Sequence, residues 1–159
     1  MLLPLLLLAA QVTPVQPIVK GTALPPPGSE EAGVMTPVNA LFDGLARRDG
    51  AILLAAMRPD ATATVAVEKA DGSRDVRRMT AAEFASHIKP GPERFEERLT
   101  DPAIEVDGDI AMVWSPYVFL VDGKVQHCGV DHFDVVREAG RWKVANVTWS
   151  QRTTGCPAQ

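Results

Sequence analysis

His127 and Asp131 stand four positions apart in HCGVDHFDVV (127–136), a β-branched, largely apolar stretch that reads as a strand. A carboxylate among apolar neighbours must be hydrogen-bonded or paired, or its pKa rises until it neutralises. That suits Asp131 to anchor a polar group of a ligand or to act as a general base. The imidazole of His127 adds a group that titrates near neutrality. Side chains alternate along a strand, so both point to one face, roughly 13 Å apart at ~3.3 Å per residue. That separation disfavours a direct His–Asp dyad. Each residue also has a purely structural reading, Asp131 as an acceptor for Trp114 or Thr148 and His127 as an exposed group near its strand end. Gly129 between them removes a side chain and leaves room.

Other chemistries find less support. No G-x-S-x-G is present and Cys128 has no placed base, so a Ser or Cys nucleophile is not indicated. His87, His127 and His132 are dispersed and no second Cys or His stands at CxxC-like spacing, which disfavours a metal site. No cofactor is implied.

The elements that position these residues follow from hydrophobic period and turn chemistry. TPVNALFDGLARRD begins with Thr36 as an N-cap and Pro37 at the first helical position, and Val38, Leu41, Phe42 and Leu45 repeat at helical spacing. Asp49-Gly50 breaks that helix, and AILLAAM forms a second one ending before Pro59. TATVAVEK, Asp71-Gly72 and the stretch to Met79 form a hairpin, then Thr80 and Glu83 supply a capping box for a third helix. FEERLTDPAIEV, DIAMVWSPYVFLV, KVQHCGVDHFDVVRE and RWKVANVTWSQ follow as four long strands separated by Asp107-Gly108, Asp122-Gly123 and Ala139-Gly140. Helices first and an antiparallel meander afterwards give an α+β fold, the helices packed on one sheet face.

Two-residue turns at Asp122-Gly123 and Ala139-Gly140 set a register in which Asp131 lies opposite Trp114 and Thr148, Val118 opposite His127, and Phe133 opposite Asn146. One face then collects Trp114, His127, Gly129, Asp131, Phe133, Asn146 and Thr148; the other collects Tyr117, Cys128, His132 and Trp149. The first is the more apolar and is the one the helices should cover. Polar groups converging in an apolar concavity mark a small-molecule pocket, so Asp131, Trp114, Asn146, His127 and Thr148 are its expected lining.

The chain has 159 residues, a length suited to one domain, and a net charge of −4 with scattered Lys and Arg, which argues against nucleic acid as a partner. Leu2–Ala10 is too short to span a membrane and fits the core of a signal peptide, although no Lys or Arg precedes it. Residues 1–10 are therefore expected to direct export to a periplasmic or secreted location. Residues 11–33, with Pro14, Pro17 and Pro25–Pro27, read as a disordered linker, 34–152 as the domain, and 153–159 as a tail. Cys128 and Cys156 either pair in an oxidising compartment, clipping the tail to the sheet, or remain a buried thiol and a free tail thiol.

The order of elements, with GVDHF followed by GRWKV inside HCGVDHFDVVREAGRWKVANVTWS, resembles the nuclear transport factor 2-like (SnoaL-like) cone fold, and within it the lumazine-binding branch. The resemblance runs from about Met35 to Gln151. It implies three helices on a curved antiparallel sheet, a ligand pocket between them, and a homodimer through the outer sheet face, where Tyr117, Val130, Val147 and Trp149 are expected. Relatives include steroid isomerases, polyketide cyclases and dehydratases, and many have no known activity. An isomerase of the ketosteroid type needs a tyrosine in the pocket, and the register puts Tyr117, the one tyrosine, on the other face. A dehydratase of the scytalone type needs Asp131 brought to His87 or His127. The expectation is a small organic ligand in the cone. The alternatives are a lyase or isomerase with Asp131 as general base, and a dimeric interaction module with a filled cone.

Overall fold

A computed structural model describes residues 30–157; the apolar run 1–10, most of the 11–33 stretch, Ala158 and Gln159 lie outside the described residues. The first helix, α1 (Glu30–Arg47), begins ahead of residue 34 and ahead of Thr36, the expected N-cap. Its apolar stripe starts a turn earlier, with Val34, Val38, Leu41 and Leu45 all buried. Glu30 and Glu31 occupy the first turn, where the helix dipole favours carboxylates. Thr36 is mid-helix, its hydroxyl donating to Ala32 O at 3.2 Å.

Asp49 caps α2 (Gly50–Ala56) through its side chain, which accepts from Ala51 N at 2.9 Å. Strand β1 (Met57–Glu68) follows directly and already contains Pro59. Its pairing is irregular between Met57 and Thr62, where a proline can supply no ladder donor. Strand β2 (Arg74–Thr80) closes the expected hairpin on β1. Thr80 and Glu83 form the expected capping box of α3 (Ala81–His87).

The stretch FEERLTDPAIEV, read as one strand, is two: β3 (Phe95–Leu99) and β4 (Ala103–Asp107), both paired antiparallel with β5 (Ile110–Val121). Between them Asp101 takes φ 50°. Thr100 N donates to Pro116 O at 2.8 Å, and the fully buried Ser115 hydroxyl accepts from Thr100 N at 3.1 Å. The polar backbone exposed by the break is thus satisfied inside the sheet.

Strands β6 (Lys124–Glu138) and β7 (Arg141–Arg152) complete a seven-stranded sheet of order β2-β1-β7-β6-β5-β3, with β4 also on β5. The architecture is α+β, with one pair, β1–β7, parallel and the others antiparallel. The turns at Asp122-Gly123 (φ 51° and 78°) and Ala139-Gly140 (φ 49° and 75°) are the expected two-residue connections, with positive φ at both positions. The core lies between the helices and one sheet face, joining Val34, Val38, Leu41 and Leu53 to Val113, Phe133, Val135, Val144 and Val147.

Two bulges change the register away from the turns. Val121 pairs Lys124 and Leu120 pairs Val125, but Phe119 pairs His127, leaving Gln126 extra on β6. Val135 pairs Val144 but Asp134 pairs Asn146, leaving Ala145 extra on β7. Each added residue reverses which side chains share a face.

Candidate functional site

The bulges put Asp131 opposite Ser115 on β5 and Trp149 on β7, not opposite Trp114 and Thr148. His127 stays on the Asp131 face and lies opposite Phe119. Tyr117 pairs with Gly129, midway between His127 and Asp131. Its phenol crosses β6 at that glycine and donates to Ser150 O on β7 at 3.0 Å. A Cβ built on Gly129 would sit 1.9 Å from that same oxygen, so the glycine is required by the close approach of Ser150. Val130 N finds the Ser150 hydroxyl at 3.0 Å.

The Tyr117 hydroxyl also meets His127 Nδ1 at 3.1 Å. Its single proton goes to the Ser150 carbonyl, so Nδ1 must be the donor in the second bond. The imidazole is thereby fixed in the Nδ1–H tautomer, which leaves Nε2 as an acceptor. Burial lowers the His127 pKa to about 4, so the ring is neutral at pH 7. Phe119 stacks on it, centroids 4.7 Å apart and 9° between planes.

Beyond Phe119, on β3, lies Glu97, paired with that phenylalanine across the strands. Glu97 shares a hydrogen bond with Asp131, which is 3 % exposed. Burial pushes the Asp131 carboxyl up to about 7, although the bond from Glu97 works the other way. Burial, the Asp131 charge and the shared bond hold Glu97 well above the usual carboxylate range. Two carboxyls so placed cannot both ionise cheaply, and the proton resides on Glu97, which donates to Asp131. Asp131 Oδ2 is buried, and among the described residues no amide, hydroxyl or amino group donates to it. Burial, with the charges of Asp131 and Glu97, raises the Tyr117 phenol, which stays protonated.

A cavity of about 170 Å³ opens between the helices and this sheet face. Leu41, Phe42, Leu45, Leu53 and Phe84 form its helical side. Phe119, Phe133, Val147 and Trp149 form its sheet side, and Glu97, His127 and Gln151 supply polar atoms. Asp131 itself stands behind Glu97 and does not line it. The arrangement offers a protonated acid on one side of Phe119 and a neutral imidazole on the other, with a second carboxyl in reserve. That set can hold a polar ligand group or move a proton.

Of the expected lining, His127 is on the cavity wall and Asp131 directly behind it. The other three residues are on the opposite face of the sheet, because the bulges reverse β5 and β7 relative to β6. Trp114 is 44 % exposed and lies against His132, centroids 5.7 Å apart. Asn146 accepts from Thr62 and donates to Asp134 at 3.4 Å. Thr148 lies opposite His132. By the same reversal Tyr117, Val147 and Trp149, expected outside, face inward; Val130 keeps its outward place. Glu97 was not anticipated. The signal for it is parity: Phe95, Glu97 and Leu99 alternate on one face, so a charge sits between two inward apolar residues.

Cys128 and Cys156 are joined by a disulfide, Cα atoms 5.6 Å apart, which clips the tail to β6. Among the described residues no group of three or more His, Cys, Asp or Glu side chains is placed to hold a metal ion, and no helix is long and apolar enough to cross a membrane.

Solved structures share this architecture. The beta subunit of a "putative aromatic-ring-hydroxylating dioxygenase" from Novosphingobium aromaticivorans matches with TM-score 0.62 at 13 % identity, over 79 % of this chain and 91 % of that one. A nuclear transport factor 2-like protein of unknown function from Shewanella baltica matches with TM-score 0.57 at 15 % identity, over 81 % and 95 %. Another from Silicibacter pomeroyi matches with TM-score 0.57 at 16 % identity, over 76 % and 94 %. At such identities the likeness is one of fold. No curated protein matches the chain in sequence. The model of the family described as "Putative lumazine-binding" matches residues 29–150, nearly the whole of the folded unit, and the chain belongs to that family.

Proposed function

We propose that this protein binds a small, largely apolar organic molecule in the cone, and does so outside the cytoplasm. The observation that carries the reading is an apolar-walled cavity of about 170 Å³ into which Glu97 and His127 project. A dry cavity of roughly 150 Å³ accommodates benzene, so the site suits a ligand built on one ring, with a larger molecule protruding past the partly exposed Phe84, Phe119 and Gln151. The apolar run at residues 2–10 and the Cys128–Cys156 bond together support an exported, oxidised protein.

The test is calorimetric titration of the purified protein with lumazine and with single-ring aromatic carbonyl compounds, beside Gln151→Trp, which fills the cavity from its rim. Saturable binding that the variant abolishes supports the reading; no binding across the panel leaves a filled interaction module as the better account. A second reading, a lyase or isomerase, is favoured by the proton shared between Glu97 and Asp131 beside the inward Tyr117. Asp131 is its general base, acting through Glu97 on the wall, which passes the substrate's proton to it, and product formation from a bound panel member would establish it.

We also propose a homodimer through the outer sheet face, where Ile110 is 60 % and Trp114 44 % exposed. Light scattering on wild type and Trp114→Glu should give a dimer and a monomer; a monomeric wild type overturns it.

A further inference from the structure

The cone is rich in aromatic rings and poor in positive charge. Phe42, Phe84, Phe119, Phe133 and Trp149 line it, and among the described residues no Lys or Arg does. Ring faces carry negative quadrupole potential and attract cations. The acids sharpen that character: Glu97 is on the wall, and behind it lies the buried Asp131, one oxygen of which no amide, hydroxyl or amino group of the described residues reaches. An anionic ligand would find no cation on the wall that the described residues form. A neutral ligand would leave the charge of the acid pair uncompensated.

We infer that the ligand of the cone is a small organic cation, an ammonium bearing apolar substituents, enclosed by the aromatic rings with its charge against Glu97 and the Asp131 carboxyl behind it. The inference rests on the reading of the cone as a ligand pocket and names the chemistry of its occupant. The volume limits the enclosed part to an ammonium with small apolar substituents, and any larger portion of the ligand must protrude past Phe84, Phe119 and Gln151.

Binding is then linked to proton release. The pair takes its first charge when Asp131 loses its proton while Glu97 keeps the one the two share, so affinity for a cation must rise with pH. The groups facing the pair are few. Tyr117 approaches from β5 and stays protonated, His127 on β6 is neutral, and Arg152 on β7 reaches Tyr117 electrostatically. The helices contribute Leu41, Phe42, Leu45, Leu53 and Phe84 to the lining, none of which titrates.

Choline and its neutral isostere 3,3-dimethyl-1-butanol, titrated calorimetrically at several values from about pH 5 to about pH 8, separate the possibilities. The expected result is a preference for choline of about tenfold or more at the upper end, shrinking toward the lower end and lost in Glu97→Gln. Phe84→Leu, which removes a ring from the helical side without touching the acids, should weaken choline more than the alcohol and stands in if Glu97→Gln does not fold. Equal or tighter binding of the alcohol, choline affinity that falls as pH rises, or an unchanged preference in both variants overturns the inference. If neither compound binds while a neutral aromatic of the earlier panel does, the cation is wrong and the pocket stands. If nothing binds at all, both fall together.

Discussion

Glu97, Asp131 and His127 make stability depend on pH in an unusual direction. A carboxyl raised by folding holds its proton where the unfolded chain has lost it, so the folded state loses ground as pH rises from about 4 toward about 7. Glu97 and Asp131 both act this way. His127, lowered by burial to about 4, acts oppositely below its ordinary value of about 6.5 and offsets one of the two. The exposed carboxylates with lowered values, such as Asp60 and Glu83, are ionised in both states above about pH 5 and add no slope there. Urea unfolding should therefore show wild type about 1–3 kcal/mol more stable at pH 5 than at pH 8. Asp131→Asn should flatten the trend, and His127→Phe should steepen it below about pH 6.5. Greater stability at pH 8 would mean that the two carboxyls do not share a proton. Gly129 is the second critical residue. Its alanine variant places a Cβ on the Ser150 carbonyl, a backbone atom that cannot swing away, and displaces the acceptor of Tyr117. A loss of at least about 3 kcal/mol is expected, read from the same unfolding curves; a loss below about 1 kcal/mol would show that β7 gives way freely. At this scale the sequence disclosed Asp131 and His127, because a charge and an imidazole inside a β-branched run stand out. It withheld Tyr117 and Trp149, whose faces depend on register, and Gly129 was seen as room for a ligand when the space is needed by backbone.

Element boundaries were legible wherever a named local interaction sets them. Thr80 and Glu83 form their capping box, and Asp122-Gly123 and Ala139-Gly140 turn as the dipeptides require. Faces were not legible, since Gln126 and Ala145 carry no mark of a bulge; each is an ordinary residue in a continuous strand pattern. One extra residue on β6 and one on β7 moved Trp114, Asn146 and Thr148 to the far side while leaving the turns and strand lengths intact. The β3–β4 break was likewise hidden, although Asp101-Pro102 lies at its centre. The disulfide joins an element to the tail that the ladder does not hold. It closes a sequence separation of 28 residues, and loop-closure entropy for such a span is worth about 3.5 kcal/mol. Melting with and without a reductant, and of Cys156→Ser, should show a common fall of several degrees. An unchanged melting temperature would place the bond outside the cooperative unit.

For the molecule as a whole, the element order predicts the helix-on-sheet arrangement but not the parallel pair that closes it. Strand β7 lies between β1 and β6, so among the described strands it is the one that joins the N-terminal hairpin to the rest of the meander. Ala63 pairs Val147, a separation of 84 residues (147 − 63), and no local signal announces that two strands so distant will meet. Strand β7 also supplies Val144 and Val147 to the core, Trp149 to the cavity wall and the Ser150 acceptor that orients Tyr117. A chain ending at Gly140 should consequently fail to fold, since the hairpin of β1 and β2 and the sheet of β3–β6 would each keep an open edge and an uncovered apolar face. A chain ending at Arg152, with Cys128→Ala, keeps every strand and should lose about what removing the disulfide costs. Circular dichroism and urea titration distinguish the two: a sigmoidal transition is expected only for the longer chain. A cooperative transition from the shorter one would mean that the helices and meander form a core without β7, and that the cone can be built before its two ends meet.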